Sequence, residues 1–160
     1  MKHHFATPLI AASLLFAAPA FSQSGTPVGS VDVSLEVDDI ANPTAAQFWA
    51  DLEKDLEEAI LVRVSDRLDP GGSRIRIDID EVALASGFQG ALGEESVLAG
   101  DINVTHPTDK TKSQFYDLKI RAAQGGGQLG EGQQVAVIPT ETFYQTLIDG
   151  FAERLVNDLR

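Results

Sequence analysis

Four charged side chains with regular spacing stand out near the middle of the sequence, where Arg74, Arg76, Asp78 and Asp80 alternate with isoleucines. In an extended strand this alternation places all four charges on one face. Asp78 and Asp80 would then lie about 7 Å apart, close enough to act on one cation or one substrate. A calcium site or a carboxylate-based hydrolase would use this pair. Neutralisation by Arg74 and Arg76 is the simpler interpretation and makes the segment a solvated surface.

Arginines and one aromatic residue are the candidates for binding. Arg63 and Arg67 precede Arg74 and Arg76 closely in the sequence. Guanidinium groups bind phosphate or carboxylate through paired N–H donors, so the four could form a small basic patch. The alternative is that they complement a helix dipole and form cross-strand ion pairs. Trp49, on a predicted helix, is the candidate for a groove or a partner interface, with core packing as the alternative.

Two further patterns lack the context that their chemistry needs. Gly125, Gly127 and Gly130 have the spacing of a dinucleotide-binding loop, but no helix pattern follows them directly. Residues 124–134 are therefore interpreted as a surface loop, with a lid over a site as the alternative. His106 is the only histidine outside the first four residues, and the sequence has no Gly-x-Ser-x-Gly motif. We predict that it is a turn residue rather than a catalytic base.

Composition narrows the classes of function. The chain has 160 residues with 24 acidic and 12 basic side chains, which gives a formal net charge of −12. This acidity argues against a nucleic-acid partner, because the phosphates would be repelled. The absence of cysteine excludes disulfides, thiolate zinc sites and a cysteine nucleophile. Together with the motifs considered above, this composition predicts no catalytic residue and no cofactor. Calcium is the one metal ion whose binding remains an alternative.

The N-terminus has the pattern of a cleaved secretory signal peptide, residues 1–22. Lys2 and two histidines precede an apolar, alanine-rich stretch, and small residues stand before a cut at Gln23, with a second candidate cut at Phe21. This style is typical of bacteria, so we expect the periplasm or the medium as the destination. No second long apolar stretch follows, and the mature chain is predicted to be soluble, without an integral membrane span.

The mature chain is predicted to form a flexible leader, residues 23–30, and one domain, residues 31–160. Periodicity predicts a first strand, a long helix, three further strands, a brief apolar strand and a closing helix, at residues 31–37, 44–68, 74–84, 97–105, 115–123, 135–138 and 140–159. The order β-α-β-β-(β)-α favours an α+β fold. We expect a mostly antiparallel sheet with two helices packed on one face.

This order of elements resembles that of small bacterial envelope proteins, the LPS-assembly lipoprotein and the auxiliary lipoproteins of transport systems. The resemblance spans most of the mature chain, but the lipobox cysteine of those families is missing. It implies a non-catalytic periplasmic or secreted module that binds an envelope protein or a small ligand. An exported hydrolase or a calcium-binding module that uses surface carboxylates is the alternative.

Overall fold

The computed structural model describes residues 25–35, 50–85, 95–122 and 140–159. The predicted signal peptide, Trp49, the glycine-rich loop 124–134 and the brief strand predicted at 135–138 lie outside these residues.

The described residues form an α+β unit, as the sequence predicts. In chain order its elements are β1 (Val28–Leu35), α1 (Leu52–Arg63), β2 (Ser73–Ala83), β3 (Ser96–Thr105), β4 (Gln114–Ala122) and α2 (Thr140–Asp158). Short 3-10 turns occupy Ser65–Arg67 and Lys110–Lys112.

The four strands lie in the order β1-β2-β3-β4. β1 and β2 are parallel, because α1 lies between them in the chain, whereas β2, β3 and β4 are antiparallel neighbours. The β3–β4 hairpin that the sequence predicts is confirmed. The sheet is therefore mostly antiparallel, with one parallel edge strand.

Both helices pack on the same side of the sheet. α1 contacts β1, α2 contacts β3 and β4, and the two helices contact each other. The shared core joins the inward isoleucines of β2 to the apolar stripes of the helices, including Leu56, Ile60, Leu147 and Phe151. Among the described residues, no element covers the opposite side of the sheet, which we call the open face.

The boundaries of β1 and α1 differ from the sequence prediction. The prediction for α1 covers residues 44–68, but Ala50 and Asp51 form a turn and the described helix begins at Leu52. β1 begins at Val28, inside the predicted leader, because the Val28 carbonyl accepts the Asp69 N–H at 2.9 Å and ties the strand start to the turn before β2. α1 ends at Arg63 and not near Leu68. The chain turns there through a 3-10 turn that buries Arg67, whose guanidinium donates to the Val156 carbonyl at 3.3 Å.

A bulge in β2 shifts the alternation of inward and outward side chains by one residue. Ile79 pairs with Gly100 and Glu81 pairs with Ala99, so Asp80 is the extra residue. At Gly100 the two backbones approach closely, since an added Cβ would lie 2.5 Å from the Asp78 carbonyl oxygen. The bulge keeps Val82 in the core although it follows two acidic residues.

Tyr144 of α2 makes a polar contact with α1. The Tyr144 hydroxyl donates to Asp55 Oδ2 at 2.7 Å. Burial, and then this hydrogen bond, raise the pKa of Tyr144. The hydroxyl of Tyr116, on the inward side of β4, is also buried, yet it has no hydrogen-bond partner among the described residues. Burial is the main reason why the pKa of Tyr116 rises to about 12.

Replacing Tyr144 by Phe is expected to lower the free energy of unfolding by about 1–2 kcal/mol, because a half-buried carboxylate loses its donor. Tyr116→Phe is the matched control. It removes a hydroxyl without a described partner, so stability should stay unchanged or rise. Urea unfolding of both variants measures the difference. Equal losses of stability in the two variants would contradict the assignment.

Candidate functional site

The outward side chains of the open face are arranged in cross-strand rows. Strand register places three consecutive rows across it: Ser30–Arg74–Thr105, then Asp32–Arg76–Asn103–Phe115, then Ser34–Asp78–Asp101–Asp117. The strand alternation predicted for residues 74–80 is therefore confirmed as far as Asp78. Asp80 remains exposed but sits at the bulge, out of the regular ladder.

Arg74 and Arg76 lie at a depression at one end of the open face, which we call the arginine depression. Its volume is about 500 Å³, and it is lined by Gly29, Ser30, Pro70, Gly72, Arg74, Arg76, Thr105 and Pro107. Its glycine wall is tightly packed, since a Cβ on Gly72 would lie 2.7 Å from the Pro27 carbonyl. The Ser73 N–H donates to that same carbonyl at 2.8 Å. A side chain at Gly72 would therefore not fit without displacing this backbone.

Neither arginine has a described carboxylate at ion-pair distance, unlike four other basic side chains. Ion pairs join Arg63 to Asp149, Lys119 to Glu81, Arg121 to Glu95 and Arg154 to Asp158. Within the described ranges, no carboxylate oxygen lies within 4 Å of the Arg74 or Arg76 guanidinium. The sequence interpretation that Asp78 and Asp80 neutralise these arginines therefore finds no support in the contacts. Asp78 instead accepts a long hydrogen bond, 3.5 Å, from the Ser34 hydroxyl.

The four-arginine patch that the sequence suggests is divided between the two sides of the sheet. Arg63, on α1, donates to the Ala59 carbonyl and to Asp149 at 2.9 and 2.8 Å. Arg67 is buried at the end of α2. The open face keeps Arg74 and Arg76 only, because the alternation of β2 directs them away from the helices.

The third row brings three carboxylates together, which we call the carboxylate row: Asp78, Asp101 and Asp117. The pKa of Asp101 is raised above its ordinary 3.8, first by a hydrogen bond with Asp117, then by partial burial and by the charges of Asp117, Asp80 and Asp78. Like charges directly opposite each other destabilise a sheet. The carboxylate row is therefore an unfavourable local arrangement that the rest of the fold imposes.

Metal binding at these acids stays a prediction of the sequence. In the described part of the chain, no group of three or more His, Cys, Asp or Glu side chains is arranged to hold a metal ion. A strand presents its side chains in one plane, whereas calcium takes about six or more oxygens that surround it.

The turn between β3 and β4 uses His106 as the sequence predicts. Its Nδ1 accepts the backbone N–H groups of Thr108 and Asp109, at 3.4 and 3.0 Å. Asp109 in turn accepts from the Thr111 hydroxyl at 2.6 Å, which lowers the pKa of Asp109. Because the Nδ1 lone pair is taken up by the turn, this atom is not available as a general base.

Sequence reasoning did not single out Phe115, the large apolar residue of the open face. Its side chain is 67% exposed and lines a smaller depression with Arg76, Asp78, Asp101 and Asn103. A signal existed, because the alternation that directs Tyr116 inward directs Phe115 outward. An exposed aromatic ring beside an arginine provides an apolar contact next to an anion-binding group.

Comparisons with known proteins add little to this geometry. No family model matches the chain, and no curated protein matches it. A crystal structure of a "putative lipoprotein" from Caulobacter crescentus CB15 is similar, with a TM-score of 0.43 and 9% sequence identity, over 81% of this chain and 87% of that one. Among the described residues, no helix is long and apolar enough to cross a membrane.

Replacing Asp101 by Asn is expected to raise the melting temperature at about pH 7, and the gain should shrink as the pH falls to about 4. The pKa of Asp101 in the folded protein lies above 3.8, so the folded state binds this proton more readily than the unfolded chain. The contribution of Asp101 to wild-type stability therefore falls as the pH rises from about 3.8 through the raised pKa. The variant removes this loss.

Thermal unfolding of wild type and variant across this pH range checks the prediction. Asp66→Asn is the control, since it removes an exposed carboxylate on the 3-10 turn after α1. A pH-independent gain, or a lower melting temperature of Asp101→Asn at neutral pH, would contradict the described repulsion.

Proposed function

We propose that this protein is an exported, non-catalytic binding module of the bacterial envelope. In this proposal the arginine depression holds an anionic group, carboxylate or phosphate, of a small ligand or of an envelope partner. The observation that carries the proposal is the pair Arg74 and Arg76, free of described ion pairs on a sheet face that no described element covers.

The chemistry of guanidinium groups supports an anionic ligand. A guanidinium donates two parallel N–H bonds to a carboxylate or phosphate and stays charged at every physiological pH. The chain has a net charge of −12, yet these two neighbouring cations form no described ion pair, although Asp32 lies opposite Arg76 in the strand register. The hydroxyls of Ser30 and Thr105, in the same row as Arg74, supply further polar contacts.

The composition of the arginine depression favours binding over turnover. Its described lining offers guanidinium and hydroxyl groups but neither a carboxylate nor a histidine that would act as a base.

Anion binding is tested by NMR titration of the mature chain with inorganic phosphate and, separately, with acetate at constant ionic strength. We expect the amide signals of Gly29, Gly72, Arg74 and Thr105 to move, because these residues line the arginine depression. The double variant Arg74→Gln/Arg76→Gln should weaken binding by about tenfold or more, since charge-assisted hydrogen bonds are lost.

The matched control is Lys54→Gln/Arg154→Gln, which removes two positive charges from exposed positions on the helical side. It should leave the titration unchanged. If both double variants bind the anion equally weakly, the effect is one of net charge and not of this site. An unchanged affinity in the arginine variant would contradict the proposed site. The ratio of phosphate to acetate affinity distinguishes the two sources of the anion.

Export is tested by cell fractionation. Expressed in a bacterium with residues 1–22, the chain should reach the periplasm or the medium, and its N-terminus should be Gln23, or Phe21 if the earlier cut is used. The same chain without residues 2–22 should stay in the cytoplasm. Mass spectrometry of the intact protein reads the cut, and an uncleaved protein held in the membrane fraction would contradict the proposal.

The carboxylate row is the basis of a second hypothesis, a calcium-binding module or an exported hydrolase that uses surface carboxylates. A calcium module would melt at a higher temperature with calcium than with chelator, in proportion to ligand saturation. An exported hydrolase would lose a measured activity in Asp78→Asn and Asp80→Asn while remaining folded.

A further inference from the structure

The two edges of the sheet differ in how they are closed. At the β1 edge, the Val33 N–H donates to Glu57 Oε1 at 3.0 Å, so a side chain from α1 occupies an edge position that another strand would need. At the β4 edge, no described strand or side chain takes that role. An unpaired edge strand is a template for pairing with another chain. Among the described residues, the β4 edge is therefore the more open of the two.

The sequence of β4 is complementary to itself when two copies run antiparallel with Leu118 opposite Leu118. Asp117 then faces Lys119 of the partner subunit, and Phe115 faces Arg121 of the partner subunit. The two-fold axis repeats each contact, so the strand pair gains two acid–base pairs and two aromatic–arginine pairs on the open face. Opposite charges and cation–π contacts both stabilise neighbouring strands.

The two registers that are shifted by one residue oppose like charges. In each register of a two-fold antiparallel pair, one residue of β4 lies on the axis, opposite the same residue of the other copy. Shifting the register by one step places the next residue on the axis. With Asp117 at the axis, two carboxylates meet, and with Lys119 at the axis, two ammonium groups meet. The register centred on Leu118 instead places an apolar, largely buried residue at the axis. Of these three registers, charge therefore favours the one centred on Leu118.

We propose that two copies of this protein pair through their β4 strands, centred on Leu118, and join two four-stranded sheets into one of eight strands. The two-fold axis stands perpendicular to the sheet, so both helical layers lie on one side. The two open faces, each with its arginine depression, become one continuous surface.

The dimer would also reduce the repulsion within the carboxylate row. Asp117 is the carboxylate that acts most strongly on Asp101 within one copy. Pairing places a lysine of the partner subunit beside it. Lys119 is already paired with Glu81, but that contact is solvent-exposed and holds the lysine weakly. One ammonium group can therefore be shared between Glu81 and Asp117 of the partner subunit.

Charge reversal tests the register. The mature chain, residues 23–160, is studied by sedimentation velocity over a range of concentrations, and a concentration-dependent dimer is expected. Asp117→Lys and Lys119→Asp should each raise the dimer dissociation constant by about tenfold or more, because each creates two like-charge pairs per interface. The double variant Asp117→Lys/Lys119→Asp exchanges the charges and should restore dimerisation.

Lys54→Asp is the matched control, since it changes the net charge as Lys119→Asp does but lies on α1. It should leave the dissociation constant unchanged. Far-ultraviolet circular dichroism confirms that each variant is folded, which is expected because Asp117 and Lys119 are exposed. Three results overturn the proposal: a mature chain that is monomeric at every concentration, a dimer that neither single variant weakens, or a double variant that fails to recover.

Discussion

The fold depends on the one-sided burial of β2, a central strand of the sheet. Ile75, Ile77 and Ile79 are each at most 1% exposed and belong to the core that both helices share. Burying one such side chain contributes about 1.5–3 kcal/mol. A slip of one residue in register would bring Arg74, Arg76 and Asp78 into this core, so the register of β2 against both neighbours is strongly determined.

This constraint also explains the open face. Because every second residue of each strand must face the helices, the charged residues between them have only one other side to occupy. Neighbouring strands then align Asp78, Asp101 and Asp117 in one row, and they leave Arg74 and Arg76 together at one end. The repulsion in the carboxylate row is tolerated because the core beneath it stabilises the same strands.

The open face and the β4 edge are two separate surfaces of the same sheet. β1 is covered by α1 and closed by Glu57, whereas β4 has a free edge among the described residues. The proposed anion site and the proposed strand pairing do not share residues, so each can fail without the other. A dimer would present two arginine depressions on one surface, which suits a ligand or partner with repeated anionic groups.

The sequence by itself determined the order of the four described strands and two helices, their one-sided packing and the α+β class. Periods of about two and about 3.6 residues record which side of a strand or helix is buried. It placed Arg74, Arg76 and Asp78 on a single strand face. Only the tertiary structure decided their neighbours. Strand order and register brought Asp101 and Asp117 beside Asp78, separated Arg63 and Arg67 from the other arginines, and set Asp80 into a bulge. These contacts join residues far apart in the chain, and no local pattern encodes which strand lies beside which or in what register.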